Sequence, residues 1–103
     1  MPYNLTYLRT LFANKNYLFT AHASDRAAER GIISAEIETA IANGEVIEDY
    51  PNDKYGPSCL IMGKSARGRV LHVQVSYQLS VKVITVYEPS PDEWELDLRT
   101  RKT

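Results

Sequence analysis

The period of the hydrophobic pattern changes once along this chain, near Glu45, and that change limits the folds open to it. Upstream, apolar residues recur at helical spacing: Leu5, Leu8, Leu11 and Phe12 within residues 4–13, then Ile37, Ala40 and Ile41 after Ser34. Downstream they alternate, as strands with one buried face do, over about 45–50, 58–65, 70–77 and 81–88. The connections between these strands are short ("PNDKYGP", "ARGR", "QLS"), which favours antiparallel neighbours. Helices followed by a meander predict an α+β fold, with N-terminal helices packed on one face of a four-stranded, mainly antiparallel sheet. At 103 residues the chain suits a single domain, 1–103. Its core spans about 17–88, with a helix over 4–13 before it and a turn and frayed basic tail over 89–103 after it.

Local signals set the element ends. "NYLFTAH" reads as a short strand or an extended lead-in. Ser24 or Asp25 then caps a helix that runs to Arg30, with Gly31 in the left-handed position after it. Ser34 caps the next helix, Glu36 lies in its first turn, and Gly44 ends it. "SPDEWEL" starts a last helical turn, with Ser90 as cap and Pro91 first in the helix.

The strands point to a polar face. In "VLHVQVSY", Leu71, Val73, Val75 and Tyr77 face the core, leaving Val70, His72, Gln74 and Ser76 on the other side. A two-residue loop at Arg67–Gly68 pairs Ala66 with Arg69; a four-residue loop pairs Ser65 with Val70. Both set Gly63 opposite His72 and Ile61 opposite Gln74. Gly63 would leave a shallow space beside the imidazole, or mark a bulge or close backbone packing. The last strand, "VKVITVYE", has apolar residues on both faces. A three-residue loop at 78–80 puts Lys82, Ile84, Val86 and Glu88 beside His72. A two- or four-residue loop, which we favour, brings Thr85 and Tyr87 there.

The stretch "HASDRAAERG" carries a second signal. On a helix, His22, Arg26 and Arg30 fall within an arc of about 80°. Ala23, Ala27 and Ala28 cover the opposite side, so the helix can approach its neighbour closely. Two arginines one turn apart repel by a few tenths of a kcal/mol. Glu29 gives partial relief, and Glu48 or Asp49 can supply a structural ion pair. A bidentate carboxylate or phosphate would suit the pair better.

Charge and cysteine content narrow the partners. The formal net charge is −1 and the pI about 6.1, so no global basic field calls for nucleic acid, and no DNA is expected as a partner. Cys59 is the only cysteine, which excludes an internal disulfide and fits a reducing compartment. With no apolar run of membrane length and no secretory core in "MPYNLTYLRT", a cytoplasmic protein without membrane attachment is expected. His22, His72 and Cys59 match no zinc spacing, so neither a metal nor another cofactor is expected.

"HASDRAAERGIISAEIETAIANGEVIEDYP", followed by "GRVLHVQVS" and "VITVYEP", resembles the bacterial family called domain of unknown function 4258. The resemblance covers roughly residues 17–88, and its most specific element is H-A-x-x-R-x-x-x-R-G-I, onto which His22, Arg26 and Arg30 fall. Members look like relatives of RelE-like and MqsR-like toxins. That implies a helical pair on a curved antiparallel sheet, messenger-RNA cleavage with or without the ribosome, and a zinc-finger antitoxin as partner.

Two functions therefore stand. The first is the toxin component of a bacterial toxin–antitoxin system, a metal-independent endoribonuclease acting on mRNA. It needs a base for the 2′-hydroxyl, an acid for the leaving oxygen and cations for the phosphorane. His72 can be base or acid, Tyr87 can donate a proton or stack a base, and His22 is a further catalytic candidate. Arg26, Arg30, Lys64, Arg67 and Arg69 are the phosphate-binding candidates. The second is a non-catalytic interaction module of the same fold, which the near-neutral charge favours. In that case His72 is a solvated sheet residue, Tyr87 a core edge, His22 a helix-start residue bonded to backbone, Arg26 and Arg30 pair with Glu48 or Asp49, and Arg67 and Arg69 only decorate a turn.

Overall fold

The computed structural model describes residues 4–54, 56–78 and 80–103. The turns expected at 51–57 and 78–80 each contain one residue, Tyr55 and Leu79 respectively, that lies outside the described residues. The first helix, α1, spans Leu5–Ala13, capped by the Asn4 side chain, which accepts the Tyr7 N–H at 3.0 Å. A two-residue strand, β1, follows at Leu18–Phe19. The second helix, α2 (Ala21–Arg30), starts earlier than Ser24 or Asp25 would allow. Its cap is Thr20, whose hydroxyl accepts the Ala23 N–H while its own N–H bonds the sheet at Val83 O. His22 consequently sits in the first turn, and Gly31 ends the helix at φ 64° as expected. In α3 (Ser34–Asn43) Ser34 is the first helical residue and not the cap; Ile33 holds that position without a side-chain bond.

Strands β2 (Glu45–Tyr50), β3 (Ser58–Lys64), β4 (Val70–Ser76) and β5 (Lys82–Tyr87) form the expected antiparallel meander. The sheet has a fifth strand, because β1 pairs parallel to β5 at Leu18↔Lys82 and Phe19↔Val83. It is therefore a mixed five-stranded sheet of order β1-β5-β4-β3-β2, where four strands were expected. The helices cover one face, where Ile61, Leu71, Val73, Val75, Val83 and Val86 meet Leu8, Phe12, Ile37, Ala40 and Ile41.

The β3–β4 register differs by one residue from both loops considered above. Ser65 N–H bonds Arg69 O at 2.9 Å and Gly68 N–H bonds Ser65 O at 2.8 Å, closing a three-residue loop with Gly68 at φ 82°. A glycine that adopts the left-handed region is what permits this loop. Met62 then faces His72, and Gly63 faces Leu71 on the helix side. No space opens beside the imidazole there. Gly63 is instead a point of close backbone packing: a Cβ on it would lie 1.9 Å from the Ala40 carbonyl oxygen of α3. Gly63→Ala should therefore push α3 off the sheet and cost about 1–3 kcal/mol or more in denaturant unfolding. A variant as stable as the parent would mean that α3 can shift without loss.

The second sheet face is covered over part of its area. Residues 90–102 fold back over it as a small hairpin-like strap, held by Trp94 N–H to Ser90 O, Glu95 N–H to Thr100 O and Lys102 N–H to Glu93 O. Trp94 bridges Arg101, and Leu98 turns the chain at φ 58°. The tail is thus ordered onto the sheet, where fraying was expected. Surface ion pairs join Arg99 to Glu45 and Arg101 to Glu48. Trp94 is 1% exposed, so the core extends past residue 88.

Candidate functional site

The strap, β5 and the end of α2 enclose a cleft of about 440 Å³. Arg30 and Ile32 form one wall, Tyr87 and Glu88 the floor, and Glu93, Trp94 and Arg101 the strap side. Tyr87 reaches it because a bulge between Gln74 and Val75 shifts the β4–β5 register, pairing His72 with Tyr87 and Gln74 with Thr85.

His72 is fully buried beneath this cleft and does not line it. Its Nε2 lies 2.6 Å from Leu98 O, and a carbonyl only accepts, so Nε2 carries the proton. Nδ1 is then the acceptor for the Tyr87 hydroxyl at 3.3 Å. Trp94 stands edge-on to the imidazole, with ring centroids 4.4 Å apart. His72 does lie on the face opposite Leu71, Val73 and Val75, but its solvation is corrected: strap residues take the place of water there. Burial holds the imidazole below the ordinary histidine value of 6.5, against the opposing pull of the Leu98 carbonyl and Glu48. Burial also raises the Tyr87 phenol above its usual value of 10.0, with the charges of Arg101, Glu48, Glu93 and Arg30 all bearing on it. At neutral pH the pair is a neutral imidazole and a protonated phenol facing two guanidiniums.

The lowered His72 value has a consequence for folding. The unfolded chain takes up this proton more readily than the folded one, so stability rises with pH in this range. The neutral imidazole contributes fully above about 6.5, and its contribution is lost as pH falls through the lower folded value. Urea unfolding across this window should show wild type losing stability relative to His72→Gln as pH decreases. Parallel curves would mean that the imidazole does not titrate with folding.

The remaining candidates divide. Arg30 lines the cleft and donates Nη1–H to Val86 O at 2.7 Å, which ties α2 to β5. Arg26 pairs with Glu29 at 2.7 Å, and neither arginine reaches Glu48 or Asp49. Those acids bind elsewhere, Glu48 to Arg101 and Tyr50, Asp49 to the Tyr77 hydroxyl. Arg69 is bound to Glu36 at 2.8 Å, donates to Gly31 O, and lies 3.6 Å from Glu88 at the edge of the cleft. Arg67 is 3.6 Å from the same Glu36, whose Oε1 has no hydrogen-bond partner among the described residues although the residue is 2% exposed. These two arginines anchor the helix pair to the β3–β4 loop. Lys64 is exposed, and its backbone exchanges two bonds with the Asn43 side chain, away from the cleft.

His22 lies elsewhere, in a second cleft of about 300 Å³ with Gln74, Ile84, Thr85, Asp53 and Lys54. Cys59 is buried in the core, where desolvation and Asp49 push its thiol up to about 12. Among the described residues no group of three potential ligands is placed to hold a metal. No described helix is long and apolar enough to cross a membrane.

The cleft residues that sequence reasoning missed are Glu93, Trp94 and Arg101. The available signal was the single tryptophan of the chain beside a basic tail, "DEWELDLRTRKT". A family model described as "Domain of unknown function (DUF4258)" matches residues 19–88. The chain belongs to this family. No curated protein and no solved structure matches it. In this DUF4258 chain the match starts within β1 and ends at Glu88, so it contains Arg30, His72 and Tyr87 but none of the strap.

Proposed function

We propose that this chain is a metal-independent endoribonuclease acting on mRNA, a RelE- or MqsR-like toxin component of the cytoplasm restrained by a small zinc-finger antitoxin. One observation carries this reading: the Tyr87 phenol, bonded to neutral His72, faces a cleft shared by Arg30, Arg101, Glu93 and Trp94. This set covers the needs of RNA cleavage by the 2′-hydroxyl. Glu93 takes the 2′-hydroxyl proton as that oxygen attacks phosphorus. Tyr87 rotates its single O–H away from His72 Nδ1 and gives that proton to the departing 5′-oxygen. Arg30 and Arg101 face the charge that builds on the phosphorane, and Trp94 holds Arg101 in place from beneath its guanidinium. The products are a 2′,3′-cyclic phosphate and a 5′-hydroxyl, and the Glu93 proton returns to Tyr87 through water. His72 touches no substrate in this scheme; it positions the phenol.

A second reading has its own support. Arg30 and Arg101 already hold Val86 O and Glu48, Glu88 and Glu93 share the cleft, and the formal charge is −1. A non-catalytic module would use the same cleft for a partner protein. Induced expression, alone and with any small antitoxin-type gene found beside its own, followed by growth and RNA integrity, separates the two. Ribonuclease action gives growth arrest and EDTA-insensitive cuts ending in cyclic phosphate. Intact RNA, free or on ribosomes, with unaffected growth leaves the binding module.

A further inference from the structure

We infer that the cleft around Tyr87 is one end of a longer track for single-stranded RNA, running along α2 to the second cleft at His22. This rests on the ribonuclease reading and deepens it by naming the extent of the substrate. The two clefts are not independent features. Tyr87 and Thr85 are two residues apart on β5, paired with His72 and Gln74, so they lie about 7 Å apart on one sheet face. Tyr87 floors the first cleft, while Thr85 and Gln74 line the second.

Helix α2 flanks both. Its burial is confined to Ala23 and Ala27, which turns His22, Arg26 and Arg30 outward on one stripe. His22 lines the second cleft and Arg30 the first, with Arg26 one helical turn from each. Residues four apart on a helix rise by about 6 Å. That is close to the separation of successive phosphates along an extended strand. With the scissile phosphate at Arg30 and Arg101, the next phosphate meets Arg26 and its nucleotide enters the second cleft. There Gln74, Thr85, His22 and Lys54 offer a polar surface to a base or sugar. The Arg26–Glu29 contact does not prevent this. It is an exposed i, i+3 pair, of small net worth, and the guanidinium can exchange carboxylate for phosphate.

Single strands suit the track better than duplex. The clefts require splayed nucleotides, and a chain of near-zero charge lacks the broad basic surface that duplex backbones demand. His22 and Arg26 are thus assigned to substrate positioning, not to proton transfer.

The test uses full-length protein and fluorescent 2′-O-methyl oligonucleotides, which cannot be cleaved by their own 2′-oxygen, of two, three and four nucleotides. Fluorescence anisotropy should show affinity rising from the dinucleotide to the longer oligonucleotides. Arg26→Ala and His22→Ala should remove that gain and leave dinucleotide affinity unchanged. For Arg26→Ala the slope of log affinity against log salt should become shallower by about 0.7, as for one lost phosphate contact on a single strand. Glu29→Gln, which frees Arg26, should strengthen binding of the longer oligonucleotides only. Both α2 positions are at the surface, and circular dichroism melting confirms that each variant is folded before it is scored. A dinucleotide that binds with no gain on lengthening, or an Arg26→Ala variant that binds every length like wild type, overturns the track and leaves the ribonuclease cleft standing. Absence of binding at every length overturns the ribonuclease reading as well.

Discussion

Trp94→Ala should destabilise the fold by about 3–5 kcal/mol, the range for removing a buried aromatic side chain. Trp94 is 1% exposed, stands edge-on to the His72 ring, and carries the Arg101 guanidinium 4.6 Å above its own ring. It is the apolar anchor of a strap whose other ties to the sheet include the His72–Leu98 hydrogen bond and surface ion pairs, the latter contributing little by themselves. Losing the indole therefore releases more than its own contacts. The strap loses its anchor, and the Leu98 carbonyl that accepts from His72 Nε2 loses its fixed place. Denaturant unfolding measures the loss. NMR titration of His72 reads the local effect, and the imidazole value should climb back towards 6.5 as water reaches it. Trp94→Phe should keep much of the stability. A Trp94→Ala cost below about 1 kcal/mol, with the His72 titration unchanged, would remove the strap from the core.

What was legible in the chain depended on the range of the interaction that decided it. The three helices and four meander strands follow from local spacing, and the α+β class follows from their order. Leu71, Val73 and Val75 are buried as their alternation implies. Tyr87 lies beside His72 as favoured, but through a bulge and not through the loop length: Val75↔Val83 has the register of the three-residue loop. Local signals competed less well where a tertiary bond chose between them. Thr20 outbids Ser24 and Asp25 as cap because its backbone is already paired with Val83. The β3–β4 register turned on Gly68 adopting a positive φ, which both simpler loop counts passed over.

The least legible feature was the second sheet face. By alternation His72 and Ser76 belong to a solvated polar surface, yet both are buried, and His72 lies beneath Trp94. A lone tryptophan in a charged segment has no periodicity to show which face it covers. The arginines follow the same rule. Arg69 and Glu36 are 33 positions apart, and nothing local distinguishes their pairing from the expected pairing of Arg26 or Arg30 with Glu48 or Asp49. The candidate site moved accordingly, from His72 on an open face to Tyr87 in a cleft that the strap completes.

On the proposed ribonuclease reading, Tyr87→Phe is the variant with the largest expected effect on activity, a fall in RNA cleavage of about 10²–10⁴-fold. The substitution keeps the ring that lines the cleft and removes only the hydroxyl that bonds His72. Stability should drop by about 1–3 kcal/mol, since Nδ1 of a fully buried histidine is left without its partner. That loss alone does not identify a proton donor, so two further measurements separate chemistry from structure. One is a substrate whose 5′-leaving oxygen is replaced by sulfur. A thiolate departs without protonation, so cleavage of this substrate should be nearly equal for Tyr87→Phe and wild type. The other is the alkaline side of the pH profile. Burial raises the phenol above 10.0, so wild-type activity should persist past the ordinary tyrosine value before the donor is lost, and this limb should be absent in the variant. His72→Gln should fall between the two proteins, since the phenol keeps its proton but loses its positioning acceptor. Equal impairment of Tyr87→Phe on oxygen and sulfur substrates would make Tyr87 a structural residue and pass proton donation to another group in the cleft.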